Sequence, residues 1–182
     1  MFKALHADSI TLYLINEENL ADVRSLFQGF PDSDYMLKEL EKSYAPRFEG
    51  GERTKYGFYS MLENDLAGLS LLGISSWKDR RGYTGADTLL HMRGKGVAPR
   101  SKPLLFYLGF EMLRLNRIET GCYVSNLASR RSIEKTEGFQ LEGVLREYGL
   151  NPRGEFEDEY RYGILRRDWM ILYDKSQVDV IV

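Results

Sequence analysis

Residues 92–98 read Met-Arg-Gly-Lys-Gly-Val-Ala, from Met92 to Ala98, and lie between a predicted strand, residues 87–92, and a predicted apolar helix. This helix is expected to begin at Pro99 or later and to end near Leu115. The first turn of a helix exposes unpaired backbone N–H groups, and the helix dipole favours an anion there. Two glycines let the backbone approach a ligand without an intervening Cβ. The stretch predicts a phosphate or pyrophosphate site, supported by four basic side chains: Arg93, Lys95, Arg100 and Lys102.

Two common phosphate motifs do not fit this stretch. A Walker A loop requires Ser or Thr after its Gly-Lys pair, but Lys95 is followed by Gly96. A dinucleotide-binding fingerprint requires a third glycine where this chain has Pro99. The remaining pattern is Arg-x-x-Gly-x-Ala over residues 93–98, and a solvated turn is the alternative interpretation.

The elements predicted around this turn indicate one α/β or α+β layer fold. Alternating or apolar runs with turn residues between them predict strands, and capping residues before 3.6-residue periodicity predict helices. Upstream, the predictions are a strand over 10–15, two helices ending near Gly29 and Ala45, a loop over 48–55, a hairpin of 56–62 and 66–74, and a loop over 77–85. Downstream, they are a strand over 118–124, a helix over 129–135 and strands over 139–148 and 157–165 joined across 151–154.

Composition narrows the class of protein. The 182 residues predict a single domain over 1–182, and 43% apolar residues argue against disorder. A net charge of −2, from 25 basic and 27 acidic residues, speaks against a nucleic-acid partner. The single cysteine excludes an internal disulfide and a cysteine-based zinc cluster, and with only two histidines no metal is expected. No apolar run approaches a membrane span, and residues 1–9 lack the plan of a signal peptide, so we expect a soluble, cytoplasmic protein with no membrane partner.

The pattern of residues 93–98 resembles the pyrophosphate-binding signature of the GNAT superfamily of acyl-CoA-dependent N-acetyltransferases. Further stretches occur in the order and near the spacing of its RimJ/RimL-like branch, which acetylates N-terminal amines: residues 115–119, 124–129, 134–135, 138–139 and 141–147. The resemblance is specific from about Leu89 to Tyr148. It implies a central mixed, mostly antiparallel twisted sheet flanked by helices, and transfer of an acetyl group from acetyl-CoA to an amine.

The resemblance also implies which residues hold the co-substrate. The candidates are Met92, Arg93, Gly94, Lys95, Gly96, Val97 and Ala98 around the pyrophosphate and Asn126 at the pantetheine arm. Ser129 is expected near the thioester sulfur, as the general acid that protonates the departing thiolate. The structural alternatives are a helix N-cap for Ser129 and a turn residue for Asn126.

Three residues are candidates for the general base that deprotonates the amine: Glu147, Asp87 and His91. The pKa of a histidine suits this task near neutrality, although an isolated histidine is more often structural. Glu147 next to Arg146 is alternatively a surface ion pair, and water is alternatively the proton acceptor. Cys122 is interpreted as a small buried hydrophobic residue.

Two prolines depart from the pattern of the family. Pro103 would remove a hydrogen bond from a helix that began at Val97, so the helix is expected to start late or to open with a distorted turn. Two functions remain: N-acetylation of a peptide or protein N-terminus or a small amine, or a catalytically silent acyl-CoA-binding domain. The amine is expected near loops 47–54 and 77–85, with Trp77, Tyr83, Tyr56 and Tyr59 lining a groove or packing in the core. The oligomeric state stays open, a homodimer included.

Overall fold

The computed structural model describes residues 2–151 and 153–182, so that Met1 and Pro152, the latter inside the predicted turn at 151–154, lie outside the described residues. Ten strands of the described part form one sheet. They are β1 (Ala4–Ala7), β2 (Ile10–Leu14), β3 (Arg47–Glu49), β4 (Glu52–Leu62), β5 (Asp65–Ser76), β6 (Arg81–Thr88), β7 (Arg117–Tyr123), β8 (Gln140–Leu150), β9 (Phe156–Leu165) and β10 (Asp179–Ile181).

Five α-helices accompany the strands in the described residues: α1 (Leu20–Leu26), α2 (Ser33–Glu39), α3 (Val97–Phe106), α4 (Leu127–Glu134) and α5 (Arg166–Leu172). Helix α2 continues into a π-helical turn, Leu40–Tyr44, and α3 into another, Tyr107–Met112. Short 3₁₀ helices occupy Leu90–Met92 and Lys175–Gln177. No helix among the described residues combines the length and apolarity needed to cross a membrane.

The sheet is mixed and mostly antiparallel, as expected. Its strand order is β10-β1-β2-β4-β5-β6-β7-β9-β8, with β3 beside β4. Among the described strands, β6 and β7 alone pair in parallel. Helix α3 supplies the crossover between these two strands, because parallel neighbours cannot be joined by a tight turn.

The hydrophobic core lies on both faces of β5. Its residues from Ala67 to Ile74 are all buried, which is the continuous apolar pattern of a strand covered on two sides. Helix α3 packs against β1, β2, β4, β5 and β6, and the π-helical turn after α2 packs against β4 and β5. Gly57 permits that second contact, because a Cβ there would overlap the backbone of Tyr44.

Several predicted elements are confirmed. The hairpin of β4 and β5 turns where Leu62 faces Asp65, and the β8–β9 hairpin pairs Leu150 with Phe156. Helix α4 begins at Leu127, two residues before its predicted start. Its N-cap is Asn126, so the interpretation of Ser129 as the N-cap is wrong.

The predictions of loops over 48–55 and 77–85 and of a strand over 87–92 are wrong. Strand β4 begins at Glu52, and β6 occupies Arg81–Thr88 and gives way to a 3₁₀ helix. The polar and glycine-rich sequence of β6 concealed a strand that pairs on both sides, with β5 and β7. Tertiary pairing outweighs weak local strand propensity here.

Helix α3 begins at Val97, so the expected late start is wrong. Gly96 is its N-cap in the left-handed conformation, with φ +79°, and the Arg100 N–H donates to the Gly96 carbonyl at 3.2 Å. Pro103 is accommodated inside the helix. The distortion comes later, where the Leu113 N–H donates to the Leu108 carbonyl across a π-helical turn.

Candidate active site

The parallel strands β6 and β7 are paired over only part of their length. Among the described residues their register runs from Arg81 opposite Arg117 to Tyr83 opposite Glu119. Beyond this point both strands continue, and we call residues 84–88 and 120–123 the strand split. The Thr120 hydroxyl donates to the Thr84 carbonyl at 3.2 Å where the split begins. Backbone groups on the facing edges of the split are suited to bind a ligand lying between the strands.

Thr84 carries a buried polar atom at this point. The residue is 5% exposed, and its Oγ1 has no hydrogen-bond partner among the described residues. A buried hydroxyl without a partner is unfavourable, and a polar ligand group in the split would satisfy it.

The glycine turn follows the end of β6 and leads into α3. Gly94 and Gly96 both have positive φ, +80° and +79°, a conformation that L-residues with a Cβ rarely adopt. No atom lies within 4 Å of the place where a Cβ would stand at either glycine, so the turn faces open space. Val97 and Ala98 then form the first turn of a ten-residue helix, whose free N–H groups point back towards the glycines.

The basic residues of this region divide into two groups. Arg93, Lys95 and Arg100 are exposed at the turn. The Lys95 ammonium lies 3.5 Å from the sulfur of Met92, which is buried. Lys102 is only 4% exposed, and its Nζ lies 5.8 Å from the ring centre of Phe139. Of the four basic residues around the turn, three therefore present their charge to an anion.

Asn126 and Ser129 are brought together at the start of α4. The Asn126 side-chain oxygen accepts a hydrogen bond from the Ser129 N–H at 3.0 Å, which caps the helix. Since the cap uses only the oxygen, the side-chain N–H₂ group of Asn126 is not part of this bond. Helix α4 packs against β7 and α3, which places both residues beside the strand split.

The Ser129 side chain contacts Cys122, a buried residue of β7. Burial raises the pKa of the Cys122 thiol, and its hydrogen bond with Ser129 opposes this rise. The thiol therefore stays protonated near neutral pH and behaves as the small buried residue that the sequence predicted.

Asp87 is held by two tyrosines. Its carboxylate oxygens accept hydrogen bonds from Tyr35 at 2.8 Å and from Tyr44 at 2.7 Å. Burial, together with the charge of Asp87, raises the pKa of Tyr44 well above its usual value, so this tyrosine remains a donor. Asp87 thus connects β6 to α2 and to the π-helical turn that follows it.

His91 and Glu147 are both exposed and lie on different elements. The His91 ring stacks on Phe30 with ring centres 5.1 Å apart. Glu147 lies in an irregularity of β8 with φ +46°, and its N–H donates to Asp158 at 2.8 Å. The structure does not bring Asp87, His91 and Glu147 into a common hydrogen-bonded cluster among the described residues.

A groove that the sequence did not predict opens on the other face of β7. Burial alternates along β7, with Ile118, Thr120 and Cys122 buried. The groove is lined by Glu119 and Gly121 between them and also by Thr120. It consists of two adjoining cavities of about 450 and 360 Å³ that share Glu119 and Arg161. We call it the carboxylate groove, after its acidic residues and their two arginines: Glu119, Glu142, Glu159, Arg117 and Arg161.

Most charges of the carboxylate groove are paired. Arg117 contacts Glu119 at 2.7 Å and also binds Glu142. Hydrogen bonding to Arg117 holds the pKa of Glu142 below its usual value. Glu159 lies 2.7 Å from Arg161, and burial raises the pKa of its carboxyl while Arg161 lowers it.

Of the predicted aromatic residues, Tyr83 lines the 360 Å³ cavity, whereas Tyr59 stacks on Tyr13 with ring centres 4.9 Å apart. The alternation of Glu157, Glu159 and Arg161 along β9 is the sequence signal that could have revealed the groove, because residues two apart share one face of a strand.

Comparison with known proteins gives a consistent result. No model of a known protein family matches the chain. The probable N-acetyltransferase YjcK of Bacillus subtilis (strain 168) is 30% identical over 163 residues, which cover 84% of this chain and 89% of the relative. The uncharacterized N-acetyltransferase YnaD of the same organism is 33% identical over 165 residues, which cover 86% and 95% of the two chains. The crystal structure of spermidine/spermine N-acetyltransferase SpeG from Vibrio cholerae superposes with a TM-score of 0.67 at 20% identity, over 91% of this chain and 98% of that one, and shows the same fold.

Proposed function

This chain belongs to the GNAT family of N-acetyltransferases, and on that premise we propose that it transfers an acetyl group from acetyl-CoA to a primary amine. The amine is the N-terminus of a peptide or protein or a small amine. The resemblance of residues 89–148 to the RimJ/RimL-like branch supports a peptide or protein N-terminus. A small amine has a parallel in SpeG, which is named for spermidine and spermine.

The observation that carries the proposal is the strand split with its two flanking helix starts. The glycine turn and α3 lie at the end of β6, and Asn126 and Ser129 lie at the end of β7. An elongated anionic ligand between the strands would meet free backbone groups along its length and positive charge at its phosphates. The unsatisfied hydroxyl of Thr84 supports a polar group at the inner end of the split.

Acetyl-CoA supplies an activated acetyl thioester when it is bound. The N–H groups of Met92, Arg93 and Lys95 already donate to backbone carbonyls. The N–H groups of Gly94, Gly96, Val97 and Ala98 would therefore hold its pyrophosphate, and the side chains of Arg93 and Lys95 would add positive charge. Pro99 has no N–H and adds no donor to this cradle. The Asn126 side-chain amide orients the pantetheine arm while its oxygen caps α4.

Ser129 donates a proton to the departing thiolate. Its hydroxyl is the polar group that α4 places against the inner face of β7, beside Cys122. In this role the Ser129 hydroxyl would give up its hydrogen bond with the Cys122 thiol and form one with the departing thiolate. The new bond would be the stronger one, because hydrogen bonds to charged groups are stronger than those between neutral groups.

Calorimetric titration with acetyl-CoA tests the cradle. Gly96→Ala places a Cβ at a positive φ in the turn, and we expect the Kd to rise about 5- to 30-fold, since holding alanine in this conformation in the complex costs about 1–2 kcal/mol. Gly51→Ala is the matched control, because Gly51 has φ +84° and equally open surroundings in the β3–β4 hairpin. Equal Kd values for the two variants would contradict the assignment of the cradle.

Thiol release measured with a panel of amines tests the transfer. The panel contains peptides with free N-termini, spermidine and amino acids. Binding of acetyl-CoA with no release for any amine would favour a catalytically silent acyl-CoA-binding domain, the alternative that the two prolines of α3 support. Failure to bind acetyl-CoA would contradict both functions.

A further inference from the structure

Glu159 lies beside the mouth of the strand split. It faces Tyr123 across the β7–β9 pairing, and a Cβ on Gly121 would lie only 2.5 Å from its Oε1. The glycine therefore makes room for the carboxylate directly over β7. Gly121 follows Thr120, the residue whose hydroxyl marks the beginning of the split.

The other nearby carboxylates are already engaged. Arg117 binds both Glu119 and Glu142, and two tyrosines bind Asp87. Glu159 has a looser partner. The Arg161 Nε lies 2.7 Å from it, but this atom forms no hydrogen bond with any described residue, and the guanidinium lies 4.6 Å from the Tyr148 ring centre.

The surroundings of Glu159 also suit a base. Its side chain is only 13% exposed, and burial raises the pKa of its carboxyl. A carboxylate that binds a proton more readily is a better acceptor near neutral pH. The 360 Å³ cavity that Glu159 lines with Tyr83 and Tyr148 leaves space for an amine.

We infer that Glu159 is the general base that deprotonates the acceptor ammonium, an assignment that rests on the proposed acetyl transfer. The ammonium gives one proton to the Glu159 carboxylate, and the freed lone pair forms the C–N bond to the acetyl carbon as the C–S bond breaks. The sulfur keeps the electron pair of the broken bond and takes a proton from Ser129. The nitrogen then loses its second proton, which reaches Ser129 through solvent and restores its hydroxyl. Glu159 releases the proton that it accepted into the groove.

The test is Glu159→Gln, which keeps the size of the side chain and removes the proton acceptor. With the best amine of the panel we expect kcat to fall about 100-fold or more at pH 7. The Kd of acetyl-CoA should stay unchanged, and the kcat–pH profile should lose the acidic limb of a carboxyl group. The control is Glu155→Gln, in an exposed turn of the same hairpin, with kcat expected within about twofold of the wild type.

Each outcome decides the assignment. An unchanged kcat, or a raised KM alone, would overturn it, since the second result means that Glu159 only binds the amine. If Glu159→Gln does not fold, Glu159→Asp replaces it: a reduced kcat with a retained acidic limb supports the inference, and a kcat equal to that of Glu155→Gln refutes it. A wild-type protein that releases no thiol with any amine would refute the proposed function itself, and the inference with it.

Discussion

Replacing Lys102 with methionine measures the cost of an ammonium group that α3 buries. Lys102 is 4% exposed and packs against Phe139, and burial lowers its pKa from the usual 10.5 to about 8. Methionine has a similar length and shape and makes favourable contacts with aromatic rings. The substitution therefore removes the charge and leaves the packing nearly unchanged.

The lowered pKa gives the expected magnitude and its sign. At about 1.4 kcal/mol per pKa unit, a fall from 10.5 to about 8 means that folding disfavours the ammonium by roughly 3 kcal/mol. Below pH 8 both states hold the proton, so the full penalty is present. Between pH 8 and 10.5 the unfolded state binds more protons, so the wild-type free energy of unfolding contains a contribution from Lys102 that rises with pH.

Urea denaturation of both proteins at pH 7, 8, 9 and 10 measures this difference. We expect Lys102→Met to be more stable by about 2–3 kcal/mol at pH 7 and the difference to shrink steadily above pH 8. Subtracting the two proteins cancels the groups that titrate there without interacting with Lys102. Cys122 is not one of them, because its charge raises the pKa of Lys102. Lys78→Met, at an exposed position, is the control and should change stability by less than about 0.5 kcal/mol. A variant no more stable than the wild type, or a difference that does not change with pH, would refute the reasoning.

Three further substitutions address the site itself. Ser129→Ala should slow thiol release while the calorimetric Kd of acetyl-CoA stays the same; an unchanged kcat would remove Ser129 from the mechanism. Asn126→Ala should lower the free energy of unfolding by about 1 kcal/mol, because the α4 cap is lost, whereas Asn126→Asp keeps the cap. Weaker acetyl-CoA binding in both variants would identify the side-chain N–H₂ group of Asn126 as a ligand contact. Asp87→Asn should destabilise the protein by about 1–3 kcal/mol in urea, because one tyrosine hydroxyl loses its acceptor, and Asp65→Asn, at the exposed start of β5, should not.

Local sequence signals predicted the elements whose ends are set by nearby residues. The turn at Glu63–Asn64–Asp65 and the apolar runs around it specify the β4–β5 hairpin without reference to the rest of the chain. Strands β1 and β10 were not predicted, because their pairing joins the two ends of the chain and depends on contacts such as Leu5 with Val180. Strand β6 was missed because its sequence is polar and rich in glycine, although β5 precedes it directly, and its second partner, β7, lies beyond α3.

The two sides of the candidate site differ in the same way. The glycine turn and the Asn126–Ser129 pair are contiguous motifs, so the sequence alone revealed them. The carboxylate groove draws its residues from β7, β8 and β9, and no short motif contains them. Sequence patterns find a site that one loop builds, whereas a site built across strands becomes visible only when their register is known.

The arrangement of charges around the strand split would let a chain with a net charge of only −2 bind both an anionic and a cationic ligand. Arg93, Lys95 and Arg100 are exposed at the turn before α3, whereas the carboxylates of the groove lie on the face of β7 opposite to α4. An anionic co-substrate and a cationic amine would thus be attracted to different faces, and neither would neutralise the charges that bind the other. Since β6 and β7 separate beyond Tyr83 and Glu119, the split is the place where ligands from both faces can meet. We therefore regard the short parallel pairing as the feature of the fold on which the proposed transfer depends.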